Sequence, residues 1–274
     1  MAPPAAPVAP AILAFDIDGT VLGADDRPVP GIGDALRELG AAGVRLVPAT
    51  GRPLHRALAA AAELGVAPAA CIAYHGALVV DLVGGEWLRH LALPEELAAG
   101  LAGRCLAAGL DVSLYVGDER RDLSPGAAPD RGAAAAAGAR LGIAGDGGLE
   151  LRVAGVTRLV VAGDPARVTP ALPELAGAAA AGLRVEPVRP GVVVALPGGA
   201  DKGEGLRLVA AHLAVPRDRV VACGDAANDV SLLRAAGTGI AVGDAPPALR
   251  AAAAATVARE DLPAALRAAF ARLG

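Results

Sequence analysis

Asp16 and Asp18, in AFDIDGT, are two carboxylates separated by one residue at the end of a short apolar run. Crowded acids repel each other, and the arrangement becomes tolerable where a hard cation sits between them. A second acidic group, GDAAND, places Asp225, Asn228 and Asp229 after another apolar run. Spacings of three and four return side chains to one side of a helix's first turn, near its amide-rich end. Thr50 ends a third apolar run with a hydroxyl, and Gly51 behind it lets the backbone approach an anion. Lys202, in GGADKGEG, is the only lysine among 25 Lys and Arg residues, Asn228 is the only asparagine, and glutamine is absent. In a chain that meets its other needs for positive charge with arginine, the surviving lysine marks a place for a compact ammonium on a thin stem. Singly, each feature has a plainer reading, since Asp-Gly is common in solvated turns and Thr often caps a helix. Assembled, the carboxylates are oxygen ligands for Mg²⁺, which keeps positions open for water and substrate phosphate. The hydroxyl, amide and ammonium then supply donors to that phosphate.

These residues must be brought together by the elements that end at them. AILAFD (11–16), VRLVPAT (44–50) and ACIAYHGALVV (70–80) read as buried strands, with helical periodicity in 31–43 and 52–65 between them. The alternation returns near the C-terminus, with helix at 203–215, strand at 219–225, helix from Ala226, strand at 239–244 and helix in PPALRAAAAA. Such alternation predicts a Rossmann-like α/β core, a parallel sheet with helices on its faces. Ligands of such sheets bind beyond the carboxyl ends of the strands, where Asp16, Thr50 and Asp225 fall. Between 83 and 196 the texture changes to WLRHLAL, DVSLYVGDERRDL, LELRVAGVTRLVVAGD and LRVEPVRPGVVVAL with alanine-rich stretches such as 133–139. The expected organisation is a loose tail at 1–10, a core made of 11–82 and 197–274, and an inserted α+β domain at 83–196. Arg120, Arg121 and Asp122 in that insert are candidate specificity residues, with solvated surface charge as the plainer account.

Composition narrows the function classes. Hydrophobic residues are 54% and aromatic ones only 2%, so the core must be aliphatic. A net charge of -4 offers no basic stripe for nucleic acid. No basic leader and no run of about 20 apolar residues is present, so a cytoplasmic protein with no membrane partner is expected. Cys71, Cys105 and Cys223 lack metal-finger or CxxC spacing and are expected to be buried free thiols. The composition carries no signal for oligomeric state.

In order, DxDGT, a strand ending Thr-Gly-Arg, Lys-Gly and GDxxND resemble the haloacid dehalogenase superfamily of phosphohydrolases, specifically its Cof-type members. The motifs cover 11–80 and 197–274, and GIAVGDAPPALRAAA resembles the segment after the last one. The resemblance implies a cap domain inserted into the core and Mg²⁺-dependent hydrolysis of phosphomonoesters, acting on a small phosphorylated metabolite such as a sugar phosphate. It implies Asp16 as nucleophile forming an aspartyl-phosphate and Asp18 as acid and base. The Asp16 carboxylate, the Asp18 backbone oxygen and Asp225 would hold Mg²⁺. Thr50, Gly51, Lys202 and Asn228 would hold the phosphoryl group, with Asp229 in support. The alternatives are a sugar phosphomutase of the same fold, a non-catalytic phosphate-binding relative and a signalling receiver, against which the length and the early position of the accepting acid argue. Two departures stand out: His75-Gly76 where many relatives have Asn-Gly, and Asp244 where they usually have asparagine. His75 could alter substrate choice or pH response; the plainer account is a loop histidine without a role.

Overall fold

The structure, a computed structural model, describes residues 10–124, 140–143, 149–152, 155–168 and 182–273. Residues 1–9 of the loose tail expected at the N-terminus and the alanine run 133–139 lie outside the described residues. The chain divides into two compact units, Met1–Arg89 with Asp201–Gly274, and His90–Ala200.

The first unit is built on a five-stranded sheet in the order Ala255–Val257, Thr238–Val242, Val220–Gly224, Ile12–Phe15, Arg45–Pro48. Every pairing in it is parallel. All four residues of Ile12–Phe15 are fully buried, as expected for a central parallel strand covered on both faces. Ile12 and Ala14 pack with Val47, Ile72, Leu206 and Leu232 in one aliphatic cluster. Successive strand residues point to opposite faces, so Leu13 and Phe15, equally buried, serve the other side. Helices Ile32–Ala41 and Leu262–Ala271 are tied by Arg267, whose guanidinium donates to Glu38 at 2.6 Å and 3.1 Å.

The run 70–80 departs from the sequence reading of one strand. Two antiparallel strands, Ala70–Ala73 and Leu78–Asp81, are joined by a turn at Tyr74, His75 and Gly76. These three residues have φ of 49°, 58° and 96°, which reverses the chain. Tertiary hydrogen bonds hold the turn: Tyr74 N–H donates to Arg52 O at 3.1 Å and His75 N–H to Thr50 O at 2.9 Å. Ala70–Ala73 still lies beside the parallel sheet, through a bridge of Ala49 to Ile72. The helix predicted in PPALRAAAAA (246–255) stops at Ala252, and its last residue, Ala255, instead opens the edge strand Ala255–Val257. Asparagine and aspartate at 228 and 229 form a short 3₁₀ turn, Ala227–Asp229, before the helix Val230–Ala235.

Helix Lys202–His212 begins with Asp201 as N-cap, its carboxylate accepting from Glu204 N–H at 2.8 Å. The first turn is pressed against its neighbours because Gly203 has no side chain: a Cβ there would lie 2.3 Å from Ser231 O. This close approach is what carries Lys202 into the interior. Gly203→Ala is therefore expected to invert the usual helix propensity, which favours Ala by about 1 kcal/mol. Chemical denaturation of the variant should show a loss of stability of about 1–3 kcal/mol. A gain would mean that the helix can move away without cost.

The second unit is a five-stranded antiparallel sheet in the order Leu183–Arg189, Val192–Pro197, Val156–Ala162, Asp111–Val116, Glu119–Leu123. Helix Glu95–Ala107 packs Leu101 and Cys105 against Leu114, Leu159 and Val193. With the two-stranded Arg140–Ile143 and Leu149–Arg152, this is an α+β insert. The charged residues of its outer hairpin pair with each other, Arg120 with Asp122 at 2.7 Å and Arg121 with Glu119 at 2.5 Å.

Candidate active site

Parallel register places the sequence's acids at one level. Phe15 is opposite Pro48 on one side and Cys223 on the other, so the chain leaves three adjacent strands at Asp16, Thr50 and Asp225 on the same sheet edge. Asp16 N–H donates to Cys223 O at 3.0 Å, extending the ladder by one bond before the loops diverge.

Lys202 lies between two of these acids. Its Nζ donates to Asp16 Oδ1 at 2.7 Å and Asp229 Oδ1 at 2.6 Å, and the side chain is 1% exposed. Asp229 uses its other oxygen to accept from Asp225 N–H at 3.2 Å and Ala226 N–H at 3.1 Å. The tight turn is possible because residue 224 is glycine, where a Cβ would come 2.5 Å from Asp229 Cγ. Gly19 does the same for Asp225, whose Oδ2 would be 2.2 Å from a Cβ there. Thr20, fully buried, donates to Asp225 Oδ1 at 2.8 Å.

One ammonium does not balance the cluster. Asp16, Asp225 and Asp229 each present an oxygen within 4.8 Å of the others. Burial pushes the Asp16 carboxyl up to about 7, with Asp229 and Asp225 adding to the shift and Lys202 opposing it. Burial also raises Asp225, against the hydrogen bond from Thr20. Lys202 moves the other way from a buried amine: burial alone would lower it, yet its two carboxylates hold it charged well above its ordinary range. The asymmetry has a simple cause. Lys202 answers two anions, whereas Asp16 answers one cation and two further anions. Three hard oxygen donors with excess negative charge fit a Mg²⁺ ion, and the residues that would hold it are Asp16 and Asp225 with Asp229 behind them.

Asp18 is placed differently. Its carboxylate is outside the three-acid cluster, about half exposed, and bound by Arg52, whose Nε lies 2.9 Å from Oδ2 and 3.1 Å from Oδ1. Nη2 of Arg52 also contacts Asp18 Oδ1, and it reaches Asp26 at 3.2 Å. Thr50 is fully buried and does not cap the next helix, whose N-cap is Pro53. Its Oγ1 accepts from Arg52 N–H at 3.1 Å, which leaves the hydroxyl hydrogen as a donor. Asn228 approaches His75 rather than the acids, Nδ2 to Nδ1 at 3.3 Å. Asp244 is exposed.

Arg52, Thr20 and Arg259 were not singled out by sequence reasoning as members of the site. Arg259 donates from Nε to Gly19 O at 2.6 Å and helps offset the charge of Asp225. Arg52 and Thr20 are the last residues of the Thr-Gly-Arg and DxDGT motifs and could have been found from them. Arg259 is one arginine among many, and nothing in its surroundings in the chain distinguishes it.

A family model described as haloacid dehalogenase-like hydrolase matches residues 13–262. The chain belongs to that family. As a haloacid dehalogenase-like hydrolase it bears out the resemblance drawn from the four motifs. Over 50 residues it is 44% identical to an uncharacterized protein in the pdhA 5′ region of Geobacillus stearothermophilus, a match taking in 18% of this chain and about half (53%) of that one. Its fold is shared with a haloacid dehalogenase-like hydrolase from Bacteroides thetaiotaomicron, with a TM-score of 0.74, 22% identity and coverage of 96% and 99% of the two chains. The subclass IIB sugar phosphatase BT4131 is also similar, with a TM-score of 0.65, 22% identity and coverage of 96% and 98%. Among the described residues no helix is long and apolar enough to cross a membrane.

Proposed function

We propose that the chain is a Mg²⁺-dependent phosphomonoester hydrolase of small phosphorylated metabolites, working through an aspartyl-phosphate. The observation that carries this reading is the buried Asp16 carboxylate, held 2.7 Å from the Lys202 ammonium and within 4.8 Å of oxygens on Asp225 and Asp229. An acid in such a place is poorly solvated, oriented, and surrounded by the groups that a phosphate needs.

In this reading an Asp16 oxygen attacks phosphorus as the bond from phosphorus to the substrate alcohol breaks. Asp18, on the exposed side and oriented by Arg52, gives its proton to the departing oxygen. It then takes a proton from the water that attacks the aspartyl-phosphate, and the bond between Asp16 and phosphorus breaks to release phosphate. Lys202, the Thr50 hydroxyl, the Gly51 amide and Asn228 hold the charge on the phosphoryl oxygens. Bound Mg²⁺ would add positive charge beside those same oxygens. The insert, taken as 83–196 from the sequence, acts in this proposal as the cap that selects the leaving alcohol. Three buried, unbridged cysteines fit a reducing cytoplasmic setting.

The test is phosphate release from a panel of phosphorylated metabolites, sugar phosphates first because one structural neighbour is a sugar phosphatase. Turnover is expected with Mg²⁺ and should fall by about 10²-fold or more with EDTA, since oxygen-held charge stabilisation is lost. Mg²⁺ at about 100 times its Kd should stabilise the chelated protein by about 2.7 kcal/mol, read as a rise in Tm. Turnover indifferent to EDTA would remove the metal from the proposal. Isomerised product without free phosphate would replace hydrolysis by mutase chemistry.

A further inference from the structure

We propose that Arg259 sets how the acidic site divides its affinity between two ligands, weakening its hold on the divalent cation and strengthening its hold on phosphate, an inference that rests on the Mg²⁺-dependent phosphomonoesterase reading above.

Parallel pairing carries Arg259 to the site. The edge strand Ala255–Val257 runs parallel to Thr238–Val242, and that strand to Val220–Gly224, so all three leave the sheet at the edge where Asp225 stands. Arg259 comes two residues after its strand and opens the 3₁₀ turn Arg259–Asp261. Two glycines make room for its half-buried side chain. At Gly243, with φ 62°, a Cβ would come 3.2 Å from Arg259 Nη2. Further along, Nε donates to Gly19 O at 2.6 Å. Gly19, with φ 82°, lies against Asp225, whose Oδ2 would be 2.2 Å from a Cβ there. A single glycine thus stands between the guanidinium and the Asp225 carboxylate.

The charge delivered there has no closer claimant. Arg259 makes no ion pair among the described residues, and its acidic neighbours Asp244, Glu260 and Asp261 are exposed to water, which screens them. Burial raises the Asp225 carboxyl, and of the two cations that oppose this Arg259 acts more strongly than Lys202. Asp18 has its own partner in Arg52. Asp16, Asp225 and Asp229 set against Lys202 and Arg259 leave one formal negative charge. Bound Mg²⁺ would turn that into one positive charge, which attracts a phosphate dianion. Without Arg259 the same acids carry two negative charges, attract Mg²⁺ more strongly, and are merely neutral once loaded. A positive charge therefore acts on the cation and the anion with opposite signs. A side chain that only kept the Gly19 turn in shape would affect both in the same sense.

The experiment compares the parent with Arg259→Gln, Arg259→Met and Arg259→Lys, each freed of metal with EDTA that is then removed. Titration calorimetry without substrate gives the Kd of Mg²⁺. The inhibition constant of inorganic phosphate is measured against p-nitrophenyl phosphate at saturating Mg²⁺. Loss of a partly screened charge should tighten Mg²⁺ about threefold to tenfold in the two neutral variants and weaken phosphate by about threefold or more. Arg259→Lys keeps the charge and should leave both constants within about twofold of the parent. Salt at about 0.5 M should shrink the differences. Mg²⁺ binding that is unchanged or weaker in both neutral variants overturns the proposal, as does phosphate binding as tight as the parent's. Neutral variants that fail to fold with Mg²⁺ present give Arg259 a structural part and overturn it too. A parent that neither binds Mg²⁺ nor hydrolyses the ester overturns the phosphatase reading beneath it, whereas a parent that does both and is matched by Arg259→Gln overturns this inference alone.

Discussion

Asp16→Asn is expected to reduce phosphate release by roughly 10⁴-fold or more while leaving the protein folded and at least as stable as its parent. Loss of activity follows because an amide cannot form the covalent intermediate, and removal of a nucleophile is among the largest single-residue effects known in enzymes. The opposite sign for stability follows from the cluster. Asp16 is one of three neighbouring carboxylates that share a single buried ammonium, and burial pushes its carboxyl up to about 7. A carboxyl that binds its proton more tightly folded than unfolded favours folding while protonated. Stability is lost as pH rises from about 4, the unfolded value, through about 7. Asparagine has no such loss. In the presence of a chelator, the stability advantage of the variant should therefore grow between these two pH values and level off above them. Urea unfolding across that range, beside rates measured with Mg²⁺, checks both halves. Undiminished turnover would remove Asp16 from the chemistry, and a variant that unfolds more easily at high pH would contradict the charge argument.

Lys202 gives the second large effect, and here activity and stability should fall together. Lys202→Met removes the cation bonded to two buried carboxylates, 2.7 Å from Asp16 and 2.6 Å from Asp229. Leaving such charge unpaired costs about 3–5 kcal/mol, and loss of a donor to the transferring group costs about 10²–10³ in kcat. Lys202→Arg keeps the charge and tests the shape. A guanidinium is broader than an ammonium, and the side chain is 1% exposed with Gly203 pressed against Ser231 beside it. Overpacking of about 1–3 kcal/mol is expected together with a fall of at least tenfold in kcat/KM. Asp229→Asn placed on Lys202→Met should recover part of the lost stability, because it removes one of the stranded charges. Equal denaturation midpoints for parent and Lys202→Arg, with equal rates, would show that the position needs charge alone.

Much of this site was legible in the chain because its signals are local. Apolar runs ending in acid mark strands that stop at a ligand-binding edge, and the helix Lys202–His212 begins where an acid three residues before a glutamate provides its cap. The solitary lysine and asparagine were informative because the background had eliminated their kinds. Elsewhere local signals misled. The run 70–80 is apolar enough for one strand, yet it is broken at Tyr74–Gly76 by hydrogen bonds to Thr50 and Arg52, partners more than twenty residues away. Arg259 is similar, meeting Gly19 O from the far end of the chain.

What the sequence determined by itself was the parallel α/β core and the membership of Asp16, Asp225, Asp229 and Lys202 in one site, because strand periodicity and chain direction bring strand ends to a common edge. Only the tertiary structure decided how those charges are shared. It turned Asp18 outward to Arg52, gave Asn228 to His75, and set the one lysine between two acids. Such assignments depend on distances of a few ångströms between side chains from separate elements, and electrostatic and hydrogen-bond energies change steeply over that range.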